Sequence, residues 1–196
     1  QKIARFLADQ RPETPCLVVD LDVVEANYAA LREAASWAIV YYAVKANPAP
    51  PILTLLNRLG SHFDAASIYE IEHCLALGVA PDRLSYGSTI KKQRDIASAF
   101  AKGVRLFAFD SLAELEKLSV AAPGSRVYCR ILTDGFGADW PLSDKFGCDG
   151  AMAVDLLSRA GDMGLDPAGI SFHVGSQQRD TGQWDIALAR TAELFA

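Results

Sequence analysis

The sequence predicts an α/β fold: a parallel sheet of repeated strand–helix units, of the kind that closes into an eight-stranded β/α barrel. Three observations carry that prediction. Strand-like segments begin near residues 39, 62, 83, 104 and 126, a period of 21 to 23 residues that fits one strand, one helix and two short loops. The run Ile39-Val40-Tyr41-Tyr42-Ala43-Val44 is continuously apolar, as in a parallel strand covered on both faces. No Gly-rich nucleotide fingerprint follows a strand, so the even period favours a barrel over a doubly wound sheet.

The elements follow in order. Thr14-Pro15 introduces Cys16-Leu17-Val18-Val19-Asp20, read as a short strand. Asp22 with Glu25 three residues later has capping-box spacing and opens a helix to about Ala35, with Val24, Tyr28, Leu31 and Ala35 on one side. The strand from Ile39 runs into Lys45, and Asn47-Pro48 breaks it. Pro50 to Leu59 reads as a helix ended by Gly60, and His62 to Ala66 as a strand. Ser67-x-x-Glu70 caps a helix to Leu77, stopped by Gly78. Arg83 to Tyr86 is strand, and Lys91 to Lys102 is a helix closed by Gly103. Val104 to Phe109 is strand, Ser111-x-x-Glu114 caps a helix to about Ala121, and Arg126 to Leu132 is strand. Thr133 to Gly150 reads as an insertion rich in Asp and Gly, followed by a helix from Ala151 to Met163. Gly169 to His173 is the sixth strand and Trp184 to Ala196 the last helix. A complete barrel needs eight strands and about 250 residues, so this one is incomplete. The division expected is a segment of residues 1–36 carrying the first helix, then a partial barrel over residues 37–196.

Composition narrows the function. Half of the 196 residues are hydrophobic (51%) and 22% are charged, which suits a chain with a sizeable core. The net charge of −5, without a long basic run, argues against nucleic acid and anionic membranes as partners and mildly favours a cationic substrate. Cys16, Cys74, Cys129 and Cys148 lack C-x-x-C spacing, so neither a zinc site nor another metal site is expected, and a reduced, cytoplasmic location fits. No apolar stretch reaches membrane-spanning length, and the start, Gln1-Lys2-Ile3, is not a signal peptide and reads as a trimmed or partial chain.

Each strand ends in, or passes to its loop through, a polar residue: Lys45, Asp64, Tyr86, Asp110, Arg130 and His173. Singly, each has an ordinary structural reading: a snorkelling lysine, a turn aspartate, a core tyrosine, an ion-paired arginine, a satisfied histidine. Parallel strands share one C-terminal face, however, so in a barrel all six lie towards one mouth. That convergence marks a site without naming its chemistry.

Tyr42-Ala43-Val44-Lys45-Ala46-Asn47, Phe63-Asp64-Ala65-Ala66-Ser67, Phe107-Ala108-Phe109-Asp110-Ser111, Lys145-Phe146-Gly147 and Ser171-Phe172-His173-Val174-Gly175-Ser176-Gln177 stand in that order. Together they resemble the ornithine/lysine/diaminopimelate/arginine decarboxylases, which depend on pyridoxal 5'-phosphate (PLP) and share an alanine-racemase-like fold. The likeness runs from about Pro15 to the C-terminus. The insertion Gly137 to Ser143 looks more like the bacterial ornithine or lysine/ornithine branch than the diaminopimelate branch.

The resemblance implies a TIM-like PLP-binding barrel, with a C-terminal β-domain absent from this chain. It implies that Lys45 holds PLP covalently through its amine, that His173 stacks on the pyridine ring, and that Ser176 donates to the phosphate. Asp64, Glu70 and Arg130 match positions lining the cofactor cleft, Tyr86 falls near it, and Lys145 matches a lysine facing the partner subunit of a homodimer with shared active sites. Where the family often has Asn, Ser88 stands; a serine can still donate. The activity implied is decarboxylation of L-ornithine or L-lysine to putrescine or cadaverine in polyamine biosynthesis. A diaminopimelate decarboxylase and a non-catalytic homologue that binds a regulatory partner are the alternatives. Family chains are about twice as long, and residues 1–196 alone are expected to be inactive.

Overall fold

The computed structural model describes residues 2–141 and 145–195. In chain order its elements are α1 (Lys2–Gln10), α2 (Leu21–Ala34), β1 (Tyr41–Ala43), α3 (Pro50–Arg58), β2 (His62–Ala65), α4 (Ile68–Ala76), β3 (Leu84–Tyr86), α5 (Gln93–Ala101), β4 (Leu106–Phe109), α6 (Leu112–Ala121), β5 (Arg126–Arg130), β6 (Ala138–Trp140), α7 (Gly150–Asp162), β7 (Asp166–Ser171), β8 (Ser176–Gln178) and α8 (Gly182–Glu193). The main sheet runs β1-β2-β3-β4-β5-β7 with every neighbouring pair parallel. Each strand is joined to the next by a helix, so the six strands form an open part of a β/α barrel.

Register sorts the side chains into two faces. Tyr42, Phe63 and Leu84 lie level on one face, followed by Phe107 and Val127. This face, with Ala65, Tyr86, Phe109 and Cys129, is buried under the helices and forms the apolar core with Leu53, Ile71, Ile96, Leu115 and Leu156. The opposite, inner face carries Ala43, Asp64 and Ser85 in one row, and Ala108, Tyr128 and Arg130 across β4 and β5. The strands are therefore apolar towards the helices, and β2, β3 and β5 carry Asp64, Ser85, Tyr128 and Arg130 towards the barrel interior.

Local signals explain the helices. Ser67 and Ser111 accept from the backbone N–H of Glu70 and Glu114 at the starts of α4 and α6. Gly60, Gly78 and Gly103 adopt positive φ just past α3, α4 and α5, where a helix stop favours glycine. The sequence misses α1, which has no buried residue. No strand forms over residues 16–20: Leu17 is 81% exposed and the segment has no sheet neighbour. The cap of α2 is Asp20 rather than Asp22; its carboxylate accepts from the Asp22 N–H at 3.1 Å, which places Asp22 in the first turn. Val24 and Tyr28 carry α2 onto the core that α3 also packs against. The insertion is not wholly irregular, because β6 pairs antiparallel with β8.

Among the described residues, a charged cluster lies inside at Lys91 and Glu114. The Lys91 side chain is fully buried, with its Nζ 2.9 Å from Glu114 Oε1, and it donates to the carbonyls of Ser88 at 2.8 Å and Ala108 at 2.6 Å. Lys117 reaches the other Glu114 oxygen and also donates to the Lys91 carbonyl. These contacts tie the loop after β3 to β4 and to the start of α6.

Candidate active site

Lys45 does not end β1 as the sequence suggested. The strand stops at Ala43, and Lys45 lies exposed in a single 3₁₀ turn, Val44–Ala46. Buried Val44 anchors that turn. The Tyr42 hydroxyl donates to the Asn47 carbonyl at 3.2 Å, and Asn47 Oδ1 accepts from the Ala49 N–H at 3.1 Å. The lysine stem is thus presented from a fixed backbone with its amine open to a ligand.

Asp64 lies beside it on the inner face of β2, level with Ala43. Burial pushes its carboxyl up; the Ser85 hydroxyl, Lys45 and Arg130 pull it down, and Glu70 opposes them. Glu70 is held at the start of α4, where its Oε2 accepts from the Ala66 N–H at 2.6 Å. Arg130 ends β5, half-buried, with its guanidinium 5.4 Å from the Phe146 ring centroid. Burial disfavours its charge, while Asp110, Tyr128 and Asp64 favour it. Asp110 is fixed in turn by the Gly147 N–H, which donates to Oδ2 at 2.9 Å. Arg130 Nε is buried without a hydrogen-bond partner, an unsatisfied donor.

His173 lies just past β7, half-buried, its backbone carbonyl accepting from the Thr133 hydroxyl. Its Nδ1 accepts from the Gly175 N–H at 2.9 Å, which assigns the proton of the neutral ring to Nε2. Burial lowers the pKa of this imidazole, and the positive charges of Arg130 and Lys45 lower it further. The ring is therefore neutral at neutral pH, as suits an aromatic face. Gly175 has φ +97°, and a Cβ there would sit 2.4 Å from the Ala138 Cβ, so only glycine lets β8 close against β6. Ser176 follows as the first residue of β8.

Lys45, Asp64, Glu70, Arg130 and His173 thus share one electrostatic neighbourhood. Tyr86 does not join them. It is 3% exposed on the helix side of the sheet, with Lys91 Nζ 5.5 Å from its ring centroid, because side chains alternate along a strand. Its neighbour Ser85 faces Asp64 instead. Lys145 is exposed, with its Nζ 5.4 Å from the Phe146 ring centroid. The branch motif Gly137 to Ser143 extends outside the described residues at Leu142 and Ser143. Among the described residues no cluster of three or more His, Cys, Asp or Glu could hold a metal ion, and no helix is long and apolar enough to cross a membrane.

Residues 21–196 match the family model described as pyridoxal-dependent decarboxylase, pyridoxal binding domain. The lysine/ornithine decarboxylase of Selenomonas ruminantium is 43% identical over 195 residues, covering 100% of this chain and 49% of that protein. A crystal structure of a variant of SrLDC in complex with PLP aligns over 100% of this chain and 50% of its own, with a TM-score of 0.93 and 43% identity. The arginine decarboxylase of Paramecium bursaria Chlorella virus, bound to agmatine, aligns over 89% of this chain and 48% of its own, with a TM-score of 0.86 and 31% identity. The chain spans about half the length of the relatives it matches. By sequence and by fold, it belongs to the pyridoxal-dependent decarboxylases and carries their pyridoxal-binding domain.

Proposed function

We propose that the whole protein decarboxylates L-ornithine or L-lysine to putrescine or cadaverine, as a step of polyamine synthesis, and works as a cytoplasmic homodimer. The observation that carries this reading is the exposed amine of Lys45 at the rim of the sheet, in one neighbourhood with Asp64, Arg130 and His173. The net charge of −5 suits a cationic substrate, and the free thiols of Cys16, Cys74, Cys129 and Cys148 suit a reducing compartment. Exposed Lys145 is offered as a contact to the second subunit.

The residues fit PLP on their own chemistry. Lys45 supplies the amine that holds the cofactor. The neutral His173 ring, oriented by the Gly175 N–H, supplies an aromatic face. Ser176, beside the Gly175 turn, supplies a hydroxyl for the phosphate, and Arg130 supplies the unpartnered Nε donor. Asp64 and Glu70 contribute negative charge near the cationic end of Lys45. Bound PLP supplies the electron sink that accepts the pair released when CO2 leaves. The protein's share is to hold, orient and charge the site.

Borohydride reduction of the full-length holoenzyme, followed by peptide mapping, is expected to find the cofactor fixed on Lys45; label on Lys91, Lys92 or Lys145 instead would overturn the assignment. Carbon dioxide release from ornithine and from lysine then ranks the two substrates. Ser176→Ala is expected to weaken PLP affinity by about 1–3 kcal/mol, the range for a lost hydrogen bond to a charged group. Cofactor titration measures it, and unchanged affinity removes Ser176 from the phosphate site.

A further inference from the structure

The hairpin of β6 and β8 is held by a side chain that the proposed chemistry does not use. Gln178 lies on β8 opposite Ala138 of β6. Its Nε2 donates to the Val174 carbonyl at 2.7 Å and to the Phe136 carbonyl at 2.9 Å. Its Oε1 accepts from the Asp180 N–H at 2.9 Å. One amide proton thus goes to the segment before β8 and the other to the segment before β6. Turning the amide over would set its oxygen against two carbonyls, so the partners fix its orientation.

The Val174 carbonyl belongs to the turn that presents Ser176. That turn is packed directly on the insertion: a Cβ on Gly175 would also come within 3.4 Å of the Trp140 and Pro141 carbonyl oxygens. Ser176 is level with Trp140 in the register of β6 and β8. Gln177, between Ser176 and Gln178, takes φ +55°, a left-handed backbone that a residue with a side chain adopts where its surroundings impose it. Here the pairings on either side impose it, Ser176 with Trp140 and Gln178 with Ala138. The amide is chemically specific to this task. A glutamate in its place keeps the acceptor, loses both donors and sets a carboxylate against two carbonyls; a leucine offers none of the three contacts.

We propose that Gln178 is a positioning residue whose amide staples the insertion to the turn after β7 and so sets where the Ser176 hydroxyl meets the cofactor phosphate. This deepens the site assigned above and rests on it. Both Gln178 donors are already committed to backbone carbonyls, so the residue acts through the backbone of Val174 to Ser176 and not on the phosphate itself. Its removal loosens the phosphate end of the cofactor and leaves the amine of Lys45 in place.

The test titrates the full-length protein, freed of cofactor, with PLP and separately with pyridoxal, which lacks the phosphate. PLP affinity is expected to fall about tenfold in Gln178→Leu and in Gln178→Glu, the size of one hydrogen bond to a charged group. Pyridoxal affinity should stay at the wild-type level in both, and the phosphorus-31 resonance of bound PLP should shift. Gln178→Leu added to Ser176→Ala should cost nothing further, because the staple acts through that hydroxyl. Arg179→Ala breaks the exposed ion pair to Asp139 across the same hairpin, 2.7 Å long, and should leave PLP affinity unchanged. Wild-type PLP affinity in Gln178→Glu, with Ser176→Ala weakened, overturns the staple, whether or not Gln178→Leu folds. Equal losses for PLP and pyridoxal, or additive losses in the double variant, overturn it as well. Unchanged PLP affinity in Ser176→Ala overturns the underlying phosphate assignment instead, so the two failures are distinguishable.

Discussion

Lys45→Ala in the full-length protein is expected to abolish decarboxylation by several orders of magnitude while leaving the fold intact, because it removes the amine through which the cofactor is held. The side chain is exposed, and the turn that carries it is fixed by Val44, Tyr42 and Asn47 rather than by the lysine amine. Its removal should therefore change stability by no more than about 0.5 kcal/mol. Lys45→Arg should be equally inactive, since a guanidinium does not yield a neutral amine near neutral pH. Steady-state CO2 release measures the first effect and a thermal melt the second. Retention of a tenth of the wild-type rate in Lys45→Ala would remove Lys45 from the chemistry.

A second large effect is expected far from the amine. Lys91→Met removes the buried cation that faces Glu114, and stability should fall by about 3–5 kcal/mol, the range for breaking a buried pair from one side. Lys117 still reaches Glu114, which argues for the lower end of that range. The double substitution Lys91→Met with Glu114→Leu should recover a large part of the loss, because no fully buried charge is then stranded and Lys117, which loses Glu114, is partly exposed. The pH dependence gives an independent signature. Burial, only partly offset by Glu114, lowers the Lys91 pKa to about 8, against 10.5 for a free lysine. Below pH 8 both folded and unfolded chains hold the proton and the penalty is constant. Between pH 8 and 10.5 the unfolded chain binds more protons, so this group's contribution to stability rises with pH, by up to about 3 kcal/mol. Urea midpoints across that window read the effect, and Lys91→Met should lose it. A Lys91→Met protein within 1 kcal/mol of wild type would contradict the buried pair.

Much of the fold was legible because its punctuation is local. Ser67 and Ser111 announce helix starts through their own hydroxyls, and Gly60, Gly78 and Gly103 mark the stops through their backbone freedom. The apolar segments between them set the strand period. What escaped depends on contacts remote in sequence. Tyr86 and Ser85 are adjacent, and only the neighbouring strands decide which of them faces the interior. Tyr128 reads as an ordinary strand residue until Ser85 is placed opposite its hydroxyl. Lys91 looks like a solvated helix start, and nothing nearby in the chain foretells that Glu114 will close over it. The pairing of Ala138 with Gln178 likewise joins segments that give no mutual signal. Of the candidate site, the nearness of Lys45, Asp64, Arg130 and His173 was legible because parallel strands sharing one direction carry the residues in and just past their C-terminal ends to one rim.

The regular spacing of the sheet also bears on how the chain assembles. Tyr42 pairs with Phe63, Asp64 with Ser85, Tyr86 with Phe107 and Phe107 with Val127. Each pairing closes a loop on the order of twenty residues, so no early step carries a much larger entropy of closure than another. The step from Cys129 to Ile170 spans roughly twice that distance. Doubling a loop adds only about 0.6 kcal/mol, but this loop must also order the insertion that carries β6. Low contact order of this kind favours rapid, strand-by-strand growth. In refolding experiments, hydrogen-exchange protection should therefore arise in β2 to β5 before it reaches β7, and His173 should be among the last site residues to reach its place.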